Sequence, residues 1–273
     1  MMRSGVDDPA PLPSPELEAQ AQAVADMYGR RRDLVPLTRL APELEGVIQQ
    51  AVPFGEGALA AWRVGEGPAV LLLHGFADSQ RLWSPLMAEL LRLGRPFVVC
   101  DMPGFGRSSD LPHVSDSHIE AIHAVTEALG PIDAIAAHSM NAAHALCAVA
   151  EGLPARRLVA FAIAPRFEPR FAHIGFRAPE GTPSEVITRA VQLVADRIAP
   201  DPRFDVAAAA ARLRIPGLLI HSRDDEHWSS EASAYVASHW PGAELRLVDG
   251  LGHRNVARDP ALVRLAAEFL AEQ

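Results

Sequence analysis

From residue 47 onward, short apolar runs alternate with longer stretches in which apolar residues recur at helical spacing. The middle runs, such as Ala-Val-Leu-Leu-Leu at 69–73 and Phe-Val-Val-Cys-Asp at 97–101, are apolar on both faces. Such runs are typical of parallel strands that helices cover on both sides. Strands joined in turn by helices form right-handed crossover units. The alternation therefore predicts a doubly wound, mostly parallel sheet.

The same pattern gives approximate bounds for each element. Strands are predicted near 47–52, 58–64, 69–73, 97–101, 132–137, 158–163, 216–221 and 244–248. Helices are predicted near 80–94, 114–129, 140–152, 184–198, 230–239 and 260–272. The first two strands, joined by a short glycine-containing turn, should form an antiparallel start. A further helix should begin at Ser14-Pro15, because serine is a good N-cap and proline suits the first helical position.

The spacing of these elements predicts how the chain is organised. Residues 1–46 should form an N-terminal arm and helix, and residues 47–165 and 213–273 the α/β core. The segment 166–212 between the sixth and seventh strands is too long for one crossover. It contains Phe167 and Phe171 and one helical pattern. We expect it to form a small helical cap over the carboxyl ends of the strands, where open α/β sheets bind ligands.

Composition excludes several classes of function. The formal charge of −9 argues against a nucleic acid or an anionic membrane as partner. All 25 basic residues are arginine, which excludes a Schiff-base lysine and the lysine of a phosphate-binding loop. Two cysteines are too few for a disulfide framework. The sequence has neither a signal-peptide pattern nor a long apolar span, so we expect a cytoplasmic protein.

Ser139 stands where an apolar strand passes directly into an alanine-rich helix, in the segment Ala-Ala-His-Ser-Met-Asn-Ala-Ala at 136–143. A serine on such a turn exposes its hydroxyl, and the helix N-terminus directs N–H groups at nearby negative charge. A plain helix N-cap has the same local pattern. The turn alone therefore leaves both interpretations open.

Four other segments follow strands in the same way. They are His-Gly-Phe at 74–76, Asp-x-Pro-Gly-x-Gly-x-Ser at 101–108, His-x-x-x-Asp at 221–225 and Gly-x-Gly-His at 250–253. With the turn at 137–141, and in this order, they resemble the α/β-hydrolase superfamily over residues 47–270. The resemblance implies the α/β-hydrolase fold, with a mostly parallel eight-stranded sheet and helices on both faces.

The resemblance also implies a role for each residue of the site. Ser139 would be the nucleophile, His253 its general base, and Asp225 the acid that orients the imidazole. The backbone N–H groups of Phe76 and Met140 would form the oxyanion hole. This chemistry needs no cofactor and no metal.

The nucleophile turn departs from the family pattern. The family has glycines where this chain has Ala137 and Asn141. Those glycines allow helix and strand to approach closely around a strained serine. Alanine is the smallest replacement, and asparagine tolerates unusual backbone angles better than most residues. The departure leaves open a catalytically silent, ligand-binding protein of the same fold.

A metal site is a second alternative, because neutral histidine and carboxylate groups are zinc ligands. The cluster that suggests it contains His221, Asp224, Asp225, Glu226 and His227. No second group of ligands stands elsewhere at a suggestive spacing, so the sequence favours the serine mechanism and no metal is expected.

The serine also narrows the reaction. Epoxide hydrolases and haloalkane dehalogenases of this fold carry an aspartate at that position, so a serine favours acyl transfer. Candidate residues of an apolar substrate pocket are Gly75, Trp83, Phe167, Phe171 and Trp228. We expect a carboxylic ester hydrolase that acts on small or medium apolar esters. A lactonase or a carbon–carbon bond hydrolase is the alternative.

Overall fold

The computed structural model of the chain describes residues 14–29, 39–111, 115–165, 179–197 and 205–272. An eight-stranded sheet lies at its centre. The strands are β1 (Gln50–Phe54), β2 (Gly57–Val64), β3 (Ala69–Leu73), β4 (Phe97–Cys100), β5 (Ile132–His138), β6 (Arg157–Phe161), β7 (Gly217–Ser222) and β8 (Ala243–Val248). The helices are α1 (Pro15–Gly29), α2 (Ser84–Arg92), α3 (Ser115–Leu129), α4 (Met140–Ala150), α5 (Ser184–Arg197), α6 (Val206–Arg212), α7 (Glu231–His239), α8 (Gly252–Asn255) and α9 (Pro260–Ala271).

The strand order is β1-β2-β4-β3-β5-β6-β7-β8. Strand β2 pairs antiparallel with both β1 and β4, and the pairs from β4 to β8 are parallel. The predicted mostly parallel sheet with an antiparallel start is therefore confirmed. Because the parallel strands all end at one edge, the loops that follow β3 to β8 meet there.

Apolar helix faces cover the sheet on both sides. Helices α3, α4, α6 and α7 share one buried cluster with the sheet, and α2 and α9 share the other. Strand β3 is buried along its whole length, as its both-face apolar run requires. Val206, Ala209 and Ala210 of α6 pack in the first cluster. This end of the segment 166–212 thus lies in the core layer, although the sequence assigned it to the cap.

The predicted helix at 80–94 is divided in the structure. A 3-10 helix runs over Gln80–Trp83, and α2 begins at Ser84 with Pro85 in its first turn. Proline has no N–H to donate and clashes with the preceding turn, so it starts a helix instead of continuing one.

Helices α1 and α5 pack against each other in a third apolar cluster, away from the two sheet cores. Their guanidinium–carboxylate pair, Arg189 and Glu18, is bidentate, with N···O distances of 2.7 and 2.8 Å. The cluster also contains Ala164, which follows β6, and Trp228, and Met140 packs against it. These two helices therefore lie at the edge where the parallel strands end. None of the described helices has the length and apolar character needed to cross a membrane.

Candidate active site

Ser139 lies at the turn between β5 and α4, with φ of 57° and ψ of −128°. A positive φ in a residue other than glycine costs about 1–3 kcal/mol, so surrounding contacts must hold it. The N–H of Ser139 donates to the Phe161 carbonyl at 2.9 Å, and its own carbonyl accepts from the Ala164 N–H at 3.2 Å. The strand β6 and the loop after it thus clamp the strained turn.

At this turn the Ser139 side chain meets those of Asp225, from the loop after β7, and of His253, from α8. His253 Nε2 is 3.0 Å from Ser139 Oγ, and His253 Nδ1 is 2.6 Å from Asp225 Oδ2. All three residues are buried, with 5% to 6% of their surfaces exposed. This is the geometry in which an imidazole can take a serine proton while a carboxylate fixes its tautomer.

Asp225 accepts hydrogen bonds on both oxygens. Oδ1 accepts from the backbone N–H groups of His227 (2.7 Å) and Trp228 (2.9 Å), and Oδ2 faces His253 and His221. Burial opposes ionisation of this carboxyl group, but the hydrogen bonds from His221 and His253 outweigh it. They hold the pKa of Asp225 well below its usual range. The Asp225 carboxylate is therefore ionised at every pH at which the His253 imidazole can act as a base.

The neighbouring acid, Asp224, is exposed and faces a different set of groups. Its Oδ1 accepts from the Ser222 hydroxyl and from the Gly250 N–H, the latter at 2.8 Å. The Ser222 hydrogen bond lowers the pKa of Asp224. From outside the site, Asp224 thus holds the loop that leads into α8, the helix that carries His253.

The loop after β3 approaches Ser139 so closely that only glycine fits at position 75. A β-carbon there would lie 2.6 Å from His138 Nδ1 and 2.9 Å from Ser139 Cβ. Gly75 therefore holds a steric position beside the nucleophile. The next residue, Phe76, is anchored by an edge-to-face contact with Phe105, with ring centroids 5.2 Å apart. The backbone N–H groups of Phe76 and Met140 belong to the two turns that adjoin Ser139.

Asn141, which replaces the second glycine of the family turn, is fully buried and bridges three elements. Its Nδ2 donates to the His74 carbonyl at 2.5 Å. Its Oδ1 lies 2.8 Å from His118 Nδ1 on α3 and 3.1 Å from His144 Nδ1 on α4. Burial lowers the pKa of His144 well below its usual range, so this ring is neutral. Asn141 thus ties the loop after β3 to two helices.

The motif at 101–108 folds as a structural loop. The Asp101 carboxylate accepts from the backbone N–H groups of Gln80 (2.7 Å) and Arg107 (2.9 Å). A β-carbon at Gly106 would lie 2.2 Å from this carboxylate, which explains the glycine. His74 joins the loop to the site, since its Nε2 accepts from the Met102 N–H at 2.9 Å. The segment positions the loop after β3 and contributes no reacting group.

Two further histidines contact the His253 ring, although the sequence suggested His227 only as a candidate metal ligand and gave His138 no catalytic role. His138 Nε2 donates to the His253 carbonyl at 2.9 Å, and its ring centroid lies 4.7 Å away. Burial keeps the pKa of His138 well below its usual range, so the ring is neutral. His227 stacks on the His253 ring from another side, also at 4.7 Å. Their adjacency to Ser139 and Asp225 in the chain was the available signal.

The predicted pocket residues have different positions in the structure. Trp228 follows Asp225 closely and belongs to the cluster formed with α1 and α5. Trp83 is fully buried in the core and packs on Phe161, with ring centroids 5.8 Å apart, which is a packing position. Phe167 and Phe171 lie outside the described residues.

The alternative metal cluster is partly assembled. Among the described residues, Asp225, Glu226 and His227 have ligand atoms within 4.8 Å of one another. Asp225 already accepts hydrogen bonds on both oxygens, and Glu226 Oε2 accepts the His253 N–H at 3.1 Å. A metal here would have to displace the partners of His253, so the donor set fits the hydrogen-bonded triad better than a metal.

Fold and site together define a hydrolase of the doubly wound α/β type. The sequence profile of the alpha/beta hydrolase family matches residues 70–267, which is most of the chain. The protein belongs to this family.

Similarity to individual relatives is more local. An epoxide hydrolase from Caballeronia sordidicola is 33% identical over 88 residues, which cover 30% of this chain and 26% of that enzyme. A bromoperoxidase from Bacillus anthracis superposes with a TM-score of 0.63 at 16% identity, covering 83% of this chain and 100% of its own. A 2-hydroxy-6-oxo-6-phenylhexa-2,4-dienoate hydrolase from Rhodococcus sp. strain RHA1 gives 0.62 at 20% identity, with 83% and 99% covered. The two structural likenesses establish the shared fold alone.

Proposed function

We propose that the protein is a serine hydrolase that cleaves small or medium apolar carboxylic esters through an acyl-enzyme. The observation that carries the proposal is the hydrogen-bonded chain from Ser139 through His253 to Asp225, at 3.0 and 2.6 Å, with the serine on a strained turn. The related activities of the family share the fold, so the choice among them rests on the chemistry of these side chains.

In this mechanism, Ser139 Oγ attacks the ester carbonyl while His253 Nε2 takes the hydroxyl proton. The carbonyl oxygen becomes an oxyanion, stabilised by the N–H groups of Phe76 and Met140. The tetrahedral intermediate collapses, the C–O bond to the alcohol breaks, and the imidazolium returns its proton to the leaving alkoxide. Water then attacks the acyl-enzyme with His253 again as base, which releases the acid and restores Ser139.

The nucleophile argues against epoxide opening, despite the match to an epoxide hydrolase. Attack of a serine hydroxyl on an epoxide carbon would give an alkyl ether, which water cannot cleave by this machinery. Attack on a carboxylic ester gives a new ester, which the same base and oxyanion donors can hydrolyse. A serine at position 139 therefore favours acyl transfer.

The apolar preference rests on what surrounds the nucleophile. Met140 packs against the cluster that α1 and α5 form with Ala164 and Trp228. We infer that α1 and α5 act as the cap and that the acyl chain lies beneath them. An apolar acyl group would lose contact with water there, and each buried methylene would contribute about 0.8 kcal/mol.

The proposal is tested with p-nitrophenyl esters of increasing acyl length and with a fluorophosphonate, followed by mass spectrometry of the labelled peptide. We expect turnover of the acetate and butyrate esters and labelling at Ser139. Ser139→Ala should abolish both while its melting temperature stays nearly unchanged, because triad members act as a unit. Ser238→Ala, which alters an exposed serine on α7, is the matched control and should remain active.

Three outcomes contradict the proposal. If the protein turns over a lactone or a diketone-like acid in preference to any ester, it is a lactonase or a carbon–carbon bond hydrolase and not an ester hydrolase. More than a tenth of the wild-type activity in Ser139→Ala removes the serine mechanism. Absence of both turnover and labelling in the wild type favours a ligand-binding protein.

A further inference from the structure

A second histidine contacts the acid of the triad. His221 lies in β7, is fully buried, and stands four residues before Asp225. Its Nε2 is 3.0 Å from Asp225 Oδ2, the oxygen that His253 Nδ1 reaches at 2.6 Å. One carboxylate oxygen therefore lies between two imidazoles, of which the proposed mechanism uses one.

The partners of His221 define its tautomer. Nε2 faces Asp225 Oδ2 and the Trp228 carbonyl at 3.1 Å, and both of these are acceptors, so Nε2 carries the proton. Nδ1 lies 2.7 Å from Ser233 Oγ on α7, which can donate its hydroxyl proton to it. A neutral imidazole with its proton on Nε2 satisfies every one of these groups.

We propose that His221, held in this tautomer by Ser233, is a positioning residue that acts on His253 through Asp225. The inference rests on the proposed serine mechanism. Two backbone N–H groups hold Oδ1, and the His221 N–H donates to Oδ2, the oxygen that His253 also contacts. The carboxylate cannot rotate away from the catalytic imidazole without breaking these bonds.

The same bond also adjusts the strength of the base. A hydrogen bond donated to Asp225 withdraws negative charge from Oδ2, so the carboxylate stabilises the imidazolium form of His253 less strongly. Removing the donor should therefore make His253 hold its proton to higher pH. The other titratable groups facing His253 are His138 at the end of β5, His227 and Glu226 after β7, and its neighbour Arg254. Substitution of His221 leaves all of these in place, so the change reports on His221.

The test compares His221→Leu, His221→Gln and Ser233→Ala with the wild type. Two quantities are measured from about pH 5 to 9: kcat and KM for p-nitrophenyl butyrate, and the rate of inactivation by a fluorophosphonate. The inactivation rate reports on the reactivity of Ser139 whatever the natural substrate is.

For His221→Leu we expect kcat to fall about 10- to 100-fold with KM little changed, the scale of one hydrogen bond to a charged group. The midpoint of the pH profile of kcat/KM should rise by about half a unit to one unit. His221→Gln can still donate an N–H to Asp225, so it should recover most of the rate and the wild-type midpoint. As a single variant, Ser233→Ala should lose several-fold in kcat. Added to His221→Leu, it should cause no further loss, because Ser233 acts through His221.

Several results would overturn the inference. The first is an unchanged pH midpoint in His221→Leu with kcat within twofold of the wild type. The second is an equal loss of kcat in the leucine and glutamine variants at an unchanged midpoint, because that result would mean that His221 contributes only packing. If His221→Leu does not fold, a glutamine variant with a shifted midpoint, or a Ser233→Ala variant with full activity, overturns it. A wild type that neither turns over the ester nor labels at Ser139 removes the proposed function, and the inference with it. Labelling without ester turnover keeps the nucleophile, and the inactivation rates then decide.

Discussion

Asp225→Asn separates the two adjacent acids and tests the tautomer argument. The asparagine has one acceptor oxygen and one NH₂ group in place of two acceptor oxygens. If its oxygen keeps the backbone N–H groups of His227 and Trp228, its NH₂ faces His253 Nδ1. The ring must then accept at Nδ1 and carry its proton on Nε2, toward Ser139. It cannot act as a base, and the loss in a serine triad is about ten-thousandfold in kcat, or ~5.5 kcal/mol of barrier.

Asp224→Asn is the matched control, because it makes the same chemical change one residue away. Asp224 is exposed, and an amide oxygen can keep the hydrogen bonds from Ser222 and Gly250. We expect kcat within about tenfold of the wild type, a loss below ~1.4 kcal/mol. The assay is kcat for both purified variants on p-nitrophenyl butyrate, with thermal melts to show that each is folded. The opposite ranking would refute the assignment of the acid to Asp225.

The remaining predictions concern metal, pH and the Asn141 bridge. Activity should survive EDTA and rise with pH through a midpoint of about 6–7; loss on chelation that zinc restores would favour the metal cluster at Asp225, Glu226 and His227. Because the pKa of Asp225 is lowered, its stabilisation is present above its unfolded value of 3.8 and is lost as pH falls through the folded value. The difference in unfolding free energy between wild type and Asp225→Asn, measured by denaturant titration, should therefore shrink as pH falls below ~4; a difference that does not shrink between pH ~4 and ~2 contradicts this. Asn141→Ala should lower stability by ~1–3 kcal/mol, because the buried His74 carbonyl loses its donor. An unchanged melting temperature would contradict the bridge.

The sheet was predictable because apolar strands covered on both sides leave long runs that no amphipathic helix shows. A predicted strand end was wrong where the apolar run in the sequence continued past the end of the strand. Strand β6 ends at Phe161, yet the apolar run goes on through Ala162, whose φ of 47° turns the chain toward the nucleophile. Helix α6 escaped prediction because its row of alanines has no apolar period. Local backbone angles and uniform composition carry no periodic signal.

Parts of the site were predictable for a different reason. Ser139, Asp225 and His253 each follow a strand, and parallel strands end at one edge, so their order along the chain implies that they meet. The contact of His221 with Asp225 was not predicted, because His221 lies inside a strand and was considered only in a motif and as a candidate metal ligand; its partner Ser233 comes from a helix. The pairing of α1 with α5 joins residues 171 positions apart, which a single sequence does not reveal.

The turn around Ser139 shows how a family glycine can be replaced. A glycine at position 141 would allow close approach of α4 to the loop after β3, with nothing to fix their separation. Asn141 spans the same gap with its amide, donating to the His74 carbonyl and facing His118 and His144 with its oxygen. The asparagine thus replaces close backbone approach by a hydrogen bond, and its amide oxygen is paired with His118 and His144. Asn141, His118 and His144 therefore act as one unit, and the asparagine is best understood as support for the loop that carries Gly75 and Phe76.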